Sequence, residues 1–328
     1  MNRFITVLLS TLLFASVPAT AGTIRATVAD RDLADGSSVV RMPRGMAVIT
    51  STKSFDDTYN DLVAALTANP NIKVIKEIDH SAAAANVGLT LTPTKVVYFG
   101  NPNLGSPIML QDQRAGLDLP QKMLVWEEDG QVYLGYNSVD YLETRYEDIE
   151  GTTTLATIES ALANFAGVAT GVDVDNIKTK AVMSPKEINK LRKLGRRGAL
   201  RTETSDSDFT TTLDRLRSAI QASPANIALE LDHSANANNN GFDLGPTTLL
   251  VFGNPNLGTP LMQADPSVGI DLPLKMLVWE DDDGTVLVTT NAPCFLESRH
   301  GLEGVDPQIN AAQNAISNFL NAATTTPN

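Results

Sequence analysis

The chain has 328 residues, a formal net charge of −13 at pH 7 and a single cysteine. The negative charge disfavours nucleic acid and anionic lipid as partners, because both would repel it. One cysteine excludes an internal disulfide framework, so the fold must rest on ordinary hydrophobic cores.

The first 21 residues are typical of a secretory signal peptide. Arg3 precedes an apolar run at 4–17, and Ala19 and Ala21 provide a small-x-small cleavage site. No later stretch reaches the roughly 18 uninterrupted apolar residues that a membrane span needs. We therefore expect a soluble chain without a membrane span, periplasmic or secreted after cleavage near Ala21.

The chain is internally duplicated. Residues 99–127 and 252–280 are identical at 20 of 29 positions, whereas 55–70 and 209–224 share only 6 of 16. Two copies of one unit agree with the length, since ~100–200 residues per domain is usual. The predicted organisation is a signal peptide at 1–21, an N-terminal extension at 22–44, a first repeat domain at 45–170, a linker at 171–197 and a second repeat domain at 198–324.

Each copy combines helical and strand patterns. Apolar residues recur at helical spacing after Ser54 and again from Phe209, and prolines at 70 and 224 end these helices. Asp129-Gly130 is a strong signal for a two-residue hairpin. Ser106-Pro107 and Thr259-Pro260 each supply an N-cap followed by proline at the first helical position. The predicted strands are 72–78, 94–99, 122–127 and 131–136 in the first copy and 227–231, 247–252 and 275–280 in the second.

The linker at 171–197 contains the one basic stretch of an acidic protein, and Ser184-Pro185 begins a predicted helix within it. We interpret it as a solvated helix that docks on acidic domain surfaces. A dedicated anionic partner is the alternative.

The motifs (I/L)DH, GNPNLG(S/T)P, DLPxKMLVWE and LE(T/S)R occur in both copies. Together they resemble the bacterial family called domain of unknown function 302, over residues 45 to about 146 and 198 to about 300. The resemblance implies an α+β fold class, with two tandem homologous two-layer α/β-sandwich domains and a mixed or largely antiparallel sheet. It brings no established biochemical activity.

The histidines are the sharpest candidates for a site. The chain has three, and His80 and His233 occupy equivalent positions after an aspartate. At a helix start the dipole opposes a cationic imidazole, which favours a neutral hydrogen-bonding or ligating role. A bond to a backbone carbonyl, a ligand or metal contact and acid–base catalysis remain open. His300 is matched by Tyr146, so no shared role is expected for it.

The GNPNLG motif carries Asn101 and Asn103 in the first copy and Asn254 and Asn256 in the second. Backbone N–H groups between a strand end and a helix start are able to hold an anion. The motif lacks the lysine of a phosphate loop, and asparagine and glycine also suit a plain turn.

Lys122 and Lys275 follow the DLP motif at the start of a predicted buried strand. Each pairs with a carboxylate such as Asp118 or Asp271, or else turns towards the GNPNLG motif and completes an anion pocket.

The residues show no recognisable catalytic constellation and no metal-binding spacing, and they identify no cofactor. Our hypothesis is an exported protein with two equivalent pockets for a small polar or anionic ligand or a protein partner. The alternatives are a soft-metal or haem carrier, a small-molecule enzyme using the two histidines, and a purely structural envelope protein. The oligomeric state is not determined by the sequence. The candidate binding residues are His80, Asn101, Asn103, Lys122, His233, Asn254, Asn256 and Lys275.

Overall fold

The computed structural model describes residues 43–146, 148–149, 152–174, 177 and 200–326. The predicted signal peptide, nearly all of the N-terminal extension and the predicted helix of the linker lie outside these ranges. The described parts of both copies belong to one compact unit. They are called the first repeat (43–174) and the second repeat (200–326) below.

The first repeat alternates strands and helices along the chain. Its elements are β1 Met46–Thr50, α1 Phe55–Ala68, β2 Lys73–Asp79, α2 His80–Ala85, β3 Thr94–Gly100, α3 Pro102–Met109, a 3-10 helix Gln113–Leu117, β4 Gln121–Glu128, β5 Gln131–Asn137, α4 Val139–Arg145 and α5 Thr153–Thr170.

The second repeat has the same element order. Its elements are β6 Leu200–Thr204, α6 Phe209–Gln221, β7 Asn226–Asp232, α7 His233–Asn238, β8 Thr247–Gly253, α8 Pro255–Ala264, a 3-10 helix Pro266–Ile270, β9 Leu274–Glu280, β10 Val286–Asn291, α9 Pro293–His300 and α10 Asp306–Thr324.

Each repeat forms a five-stranded sheet, in the order β1-β5-β4-β3-β2 or β6-β10-β9-β8-β7. All strand pairs of these two sheets are antiparallel. The predicted α+β fold class is confirmed. The hairpin predicted at Asp129-Gly130 is also present: both residues have positive φ, 52° and 77°, as a tight two-residue turn between twisted strands requires.

Helix α3 begins earlier than the sequence predicted. It starts at Pro102, with the Asn101 side chain accepting a 2.9 Å hydrogen bond from the N–H of Asn103, and α8 starts in the same way after Asn254. Asparagine at the N-cap and proline at the first helical position satisfy the same rules as Ser106-Pro107 would. The N-caps predicted at Ser106 and Thr259 are therefore wrong, and both hydroxyls lie inside a helix.

The two faces of each sheet have different partners. Met123 and Val125 of β4 pack with the helices of the first repeat, whereas Leu124 points to the other face. There it shares a cluster with Leu249 and Leu277 of the second repeat. Since alternate residues of a strand point to opposite faces, one apolar strand serves both cores.

The 3-10 helix of each repeat lies on the sheet of the other repeat. Its glycine makes this close approach sterically possible. A methyl group at Gly116 would lie 3.1 Å from Leu277 Cδ1 and 3.2 Å from His233 Cδ2, and one at Gly269 would lie 3.0 Å from Leu124 Cδ1. The repeats are therefore joined by exchanged 3-10 helices.

Candidate functional site

Each histidine of the duplicated motif contacts the other repeat. The Nε2 atom of His80 lies 3.2 Å from the carbonyl oxygen of Gly269, and that of His233 lies 3.0 Å from the carbonyl oxygen of Gly116. A carbonyl oxygen only accepts hydrogen bonds, so Nε2 carries the proton in both rings. The imidazoles open helices α2 and α7, which Asp79 and Asp232 cap.

Both imidazoles are neutral at physiological pH. Burial lowers the pKa of His80 and of His233 to about 4, although the bonds to the carbonyls oppose this shift. The sequence predicted a neutral, hydrogen-bonding histidine. Burial, more than the helix dipole, is the physical cause.

Two cavities occupy equivalent positions, and each is lined mainly by residues of one repeat. The first pocket has a volume of about 210 Å³ and the second about 190 Å³. The first lies between the Asn101 end of α3, the strands β2 and β4 and helix α5, and His233 of the second repeat completes its wall. The second contains Asn254 and is completed by His80. Each pocket is thus lined by the GNPNLG segment of one repeat and by the histidine of the other.

The walls of both pockets are mainly apolar. In the first, these side chains include Phe99, Met109, Leu162 and Phe165. In the second, they include Leu261, Met262, Leu272 and Ile309. A cavity of this composition favours an apolar ligand body over a fully hydrated one.

Each pocket also contains a buried hydroxyl group without a hydrogen-bond partner. Ser106 is 1% exposed and Thr259 is fully buried, and neither hydroxyl is bonded within the described protein. A buried hydroxyl normally finds a partner, since leaving it unpaired costs about 1–3 kcal/mol. These groups are suited to a polar atom of a ligand. The sequence suggested them only as helix caps.

Asn103 and Asn256, which the sequence also selected, do not line the pockets. Their backbone N–H groups are bound by the side chains of Asn101 and Asn254, at 2.9 and 3.0 Å. They hold the start of helices α3 and α8 in place.

Lys122 and Lys275 lie away from both pockets. Lys122 is adjacent to Gln121, which lines the first pocket, so the pleat of β4 directs the lysine to the opposite face. Both lysines lie between the repeats, and each residue is 2% exposed. The structure therefore separates the lysines from the GNPNLG segments.

A central charged cluster surrounds these lysines. It contains the side chains of Asp118, Lys122, Arg145, Tyr146, Asp271, Lys275, Arg299 and His300, all nearly fully buried. Asp118 accepts a 2.9 Å hydrogen bond from Lys275 of the other repeat, and the Arg145 Nε atom lies 2.9 Å from its second oxygen. Lys122 Nζ is 3.8 Å from Asp118 and has no hydrogen-bond partner in the described part of the chain.

The other half of the cluster is built around Asp271. Arg299 donates to this carboxylate at 2.7 Å, and a further arm of the same guanidinium donates to Asn137 of the first repeat at 2.6 Å. In the equivalent contact, Arg145 of the first repeat donates a hydrogen bond to Asn291 of the second repeat. An arginine and an asparagine from each repeat therefore link the two repeats.

His300 has a role that the sequence missed. Its Nε2 atom lies 2.9 Å from Asp271, and Tyr146 donates to Asp118 at 2.8 Å, so the two mismatched residues occupy equivalent places. The expectation of no shared role was wrong. The signal was available: the two residues align, and both carry a hydrogen-bond donor at the end of a ring.

The opposed charges control ionisation in the cluster. Burial alone would raise the pKa of Asp118 and Asp271, but the cations Lys275, Arg145 and Arg299 hold both values well below the usual range. For Lys122, burial and the nearby charge of Lys275 lower the pKa well below its ordinary value.

Among the residues that the structure describes, no three His, Cys, Asp or Glu side chains converge on a point that would hold a metal ion. The Nε2 atoms of His80 and His233 are occupied by the carbonyls of Gly269 and Gly116.

Two Brucella proteins match part of this chain in sequence. It is 40% identical over 101 residues to "Fluoride-specific ion channel FluC 1" of Brucella suis biovar 1 (strain 1330), covering 31% of this chain and 40% of that protein. The protein of the same name from Brucella abortus biovar 1 (strain 9-941) is 40% identical over 101 residues, 37% of its length. The chain thus spans about two fifths of these relatives. No helix in the described ranges has the length and apolar character needed to cross a membrane.

The crystal structure of an uncharacterized conserved protein DUF302 from Bacillus stearothermophilus is 17% identical, with a TM-score of 0.36 over 38% of this chain and 98% of that one. The family model of domain of unknown function DUF302 matches residues 47–165 and again 201–323. Because these two matches cover most of the sequence, the chain belongs to the DUF302 family as a tandem pair of its domains.

Proposed function

We propose that this protein is an exported binding protein that takes up a small molecule with an apolar body and one polar end in each of its two pockets. The observation that carries the proposal is the buried, unpartnered hydroxyl of Ser106 or Thr259 in an otherwise largely apolar cavity. A ligand that buries its apolar part and bonds this hydroxyl would gain from both interactions.

The size of the pockets limits the ligand. Volumes of about 210 and 190 Å³ are somewhat larger than the ~150 Å³ cavity that admits benzene in a protein core, and smaller than typical drug-binding pockets. A monocyclic or short-chain compound fits this range.

The walls are held by contacts between the repeats. His80 and His233 each bridge to the 3-10 helix of the other repeat while lining a pocket. A wall fixed before binding lowers the entropic cost of ordering the site. The histidines are positioning groups in this proposal, and Lys122 and Lys275 contribute to the scaffold.

Benzyl alcohol is a suitable probe, with isothermal titration calorimetry as the measurement. We expect two sites per chain. Ala83→Phe would fill the second pocket and Asn236→Phe the first, from twin positions that are half-buried in the free protein. Each variant should lose one site and keep the other. Ala82→Phe, at an exposed neighbouring position, should keep both.

Binding that is absent, or that is unchanged in both pocket-filling variants, would overturn the proposal and favour a purely structural role. Circular dichroism and the melting temperature of each variant establish that it is folded.

Export is the second part of the proposal and rests on the leader-like sequence before Gly22. The mass of the protein recovered from the periplasm or medium should correspond to a chain that begins near Gly22. A chain retaining Met1 in the cytoplasm would contradict export.

A second candidate function is uptake of a small anion by the central charged cluster. Four basic side chains face two carboxylates there, and Lys122 Nζ and the Tyr98 hydroxyl are buried without a hydrogen-bond partner among the described residues. The printed name of the Brucella relatives makes fluoride the natural probe. Sodium fluoride should raise the melting temperature more than sodium gluconate at equal ionic strength. Lys122→Met should abolish the difference, and equal shifts in both salts would exclude this candidate.

A further inference from the structure

The two pockets differ in the polar groups that they present. At the twin positions of β4 and β9, the first pocket has Gln121 and the second has Leu274. At those of β2 and β7, the first has Lys73 and the second Asn226. The two repeats therefore contain equivalent cavities that differ in their polar lining residues.

Gln121 is a buried donor without a partner. Its side chain is 8% exposed, and Nε2 forms no hydrogen bond within the described protein. It lines the same cavity as the unpartnered hydroxyl of Ser106. Two unsatisfied donors in one small pocket match a group that accepts more than one hydrogen bond, as a carboxylate does.

The charged residues at the pockets also favour an anionic ligand in the first pocket. Lys73 is the one charged side chain among the described residues that line the first pocket, and it is exposed, as a group at the mouth would be. No Asp or Glu is among those lining residues, and the buried His233 is neutral. The lining residues described for the second pocket include no charged side chain.

We infer that the first pocket selects a small monocarboxylate with a compact apolar body, whereas the second selects a neutral molecule of similar size. Gln121 and Ser106 would donate to the carboxylate, and Lys73 would compensate its charge from the mouth of the pocket. This inference rests on the proposed function, since it assigns ligand classes to the same two cavities.

Benzoate and benzamide are matched probes that differ in charge at one end. Calorimetry on Ala83→Phe measures the first pocket alone, and on Asn236→Phe the second alone. We expect benzoate to bind the first pocket about tenfold more tightly than the second, as the hydrogen bonds to a charged group predict. Benzamide should show a smaller preference, because its carbonyl oxygen accepts hydrogen bonds but carries no charge.

Replacing a lining residue by the residue at the equivalent position of the other repeat tests its contribution to binding. In the Ala83→Phe protein, Gln121→Leu should weaken benzoate binding about tenfold. Lys73→Asn should weaken it about two- to fivefold, since an exposed charge contributes less. In the Asn236→Phe protein, Leu274→Gln should strengthen benzoate binding in the second pocket. Benzamide affinity should change less than twofold on Lys73→Asn. On Gln121→Leu and Leu274→Gln it should change less than benzoate affinity does, because hydrogen bonds to an uncharged carbonyl oxygen are weaker than those to a carboxylate.

Equal affinity of benzoate for both pockets, or an equal loss of benzoate and benzamide on Gln121→Leu, would overturn the inference. If benzyl alcohol still fills two sites in that case, the proposed function survives and only the ligand assignment fails. If no probe binds either pocket, the proposed function fails as well.

Discussion

His233 of the second repeat and Gly116 of the first are joined by a 3.0 Å bond between Nε2 and a carbonyl oxygen, and the ring packs 3.2 Å from where a Gly116 side chain would begin. His80 and Gly269 repeat the contact in the opposite direction. The same two histidines line the pockets, so each of them belongs both to the interface between the repeats and to a candidate binding site.

Stability should fall as the pH decreases from about 6.5 to about 4. Both histidines have a pKa near 4 in the folded protein and near 6.5 when unfolded, so the unfolded state binds more protons in this window. Each histidine contributes stability that is complete above about pH 6.5, and its loss approaches about 3 kcal/mol at pH 4. Urea unfolding at pH 7, 6 and 5 measures the effect.

The matched variant is His80→Gln with His233→Gln, because glutamine keeps an N–H donor but does not titrate. Its free energy of unfolding should depend less on pH over the same window. Parallel curves for the two proteins would show that the histidines do not cause the dependence.

Asp118→Asn should destabilise the protein by about 3–5 kcal/mol, because it leaves Lys275 and Arg145 buried without a counter-charge. Asp61→Asn is the control. Asp61 also forms an ion pair of 2.7 Å, with Lys53, but its side chain is 48% exposed, so the expected change is below about 1 kcal/mol. Urea unfolding measures both, and equal effects would contradict a dominant role for the buried cluster.

Gly269→Ala should cost about 1–3 kcal/mol, because the added methyl group would lie 3.0 Å from Leu124 across the interface. Gly258→Ala provides the comparison within a helix. There the nearest atom would lie 3.7 Å away, an ordinary contact, and alanine is the better helix former by about 1 kcal/mol. The melting temperature should fall in the first variant and hold or rise in the second. A fall of similar size in both would argue against the close contact.

The two repeats should need each other. Residues 43–174 and 200–326, produced together as separate chains, should co-purify as a one-to-one complex, because each alone would expose an apolar sheet face containing Leu124 or Leu277. Size-exclusion chromatography with light scattering measures the mass. Two independent monomers would show that the shared cluster is dispensable.

Local features of the fold follow from local sequence. The helical period from Phe55, the proline at 70 and the Asp129-Gly130 turn each predicted an element that the structure contains. The start of α3 was misplaced because Asn101-Pro102 and Ser106-Pro107 satisfy the same capping rules. The predicted domain boundaries and the ligand-binding roles of the selected residues stay predictions.

The candidate site could be predicted only in its parts. The duplication indicated that His80, Asn101 and Lys122 belong to one candidate site. It gave no indication of which repeat provides the residues that they contact. Gln121 and Lys122 are neighbours in sequence and reach different sites, because the pleat of β4 points one into a pocket and the other between the repeats.

The sequence by itself determined the types of most elements, the duplication and the alternation of side chains along each strand, since these depend on short-range periodicity and steric preference. The tertiary structure decided that residues of one repeat contact residues of the other, in reciprocal pairs such as His233 with Gly116 and His80 with Gly269. Each sheet has a second apolar face that its own helices leave uncovered, and the 3-10 helix of the other repeat covers it. That exchange carries His233 to Gly116 and Lys275 to Asp118, over 117 and 157 residues of chain, a distance at which local sequence patterns specify nothing.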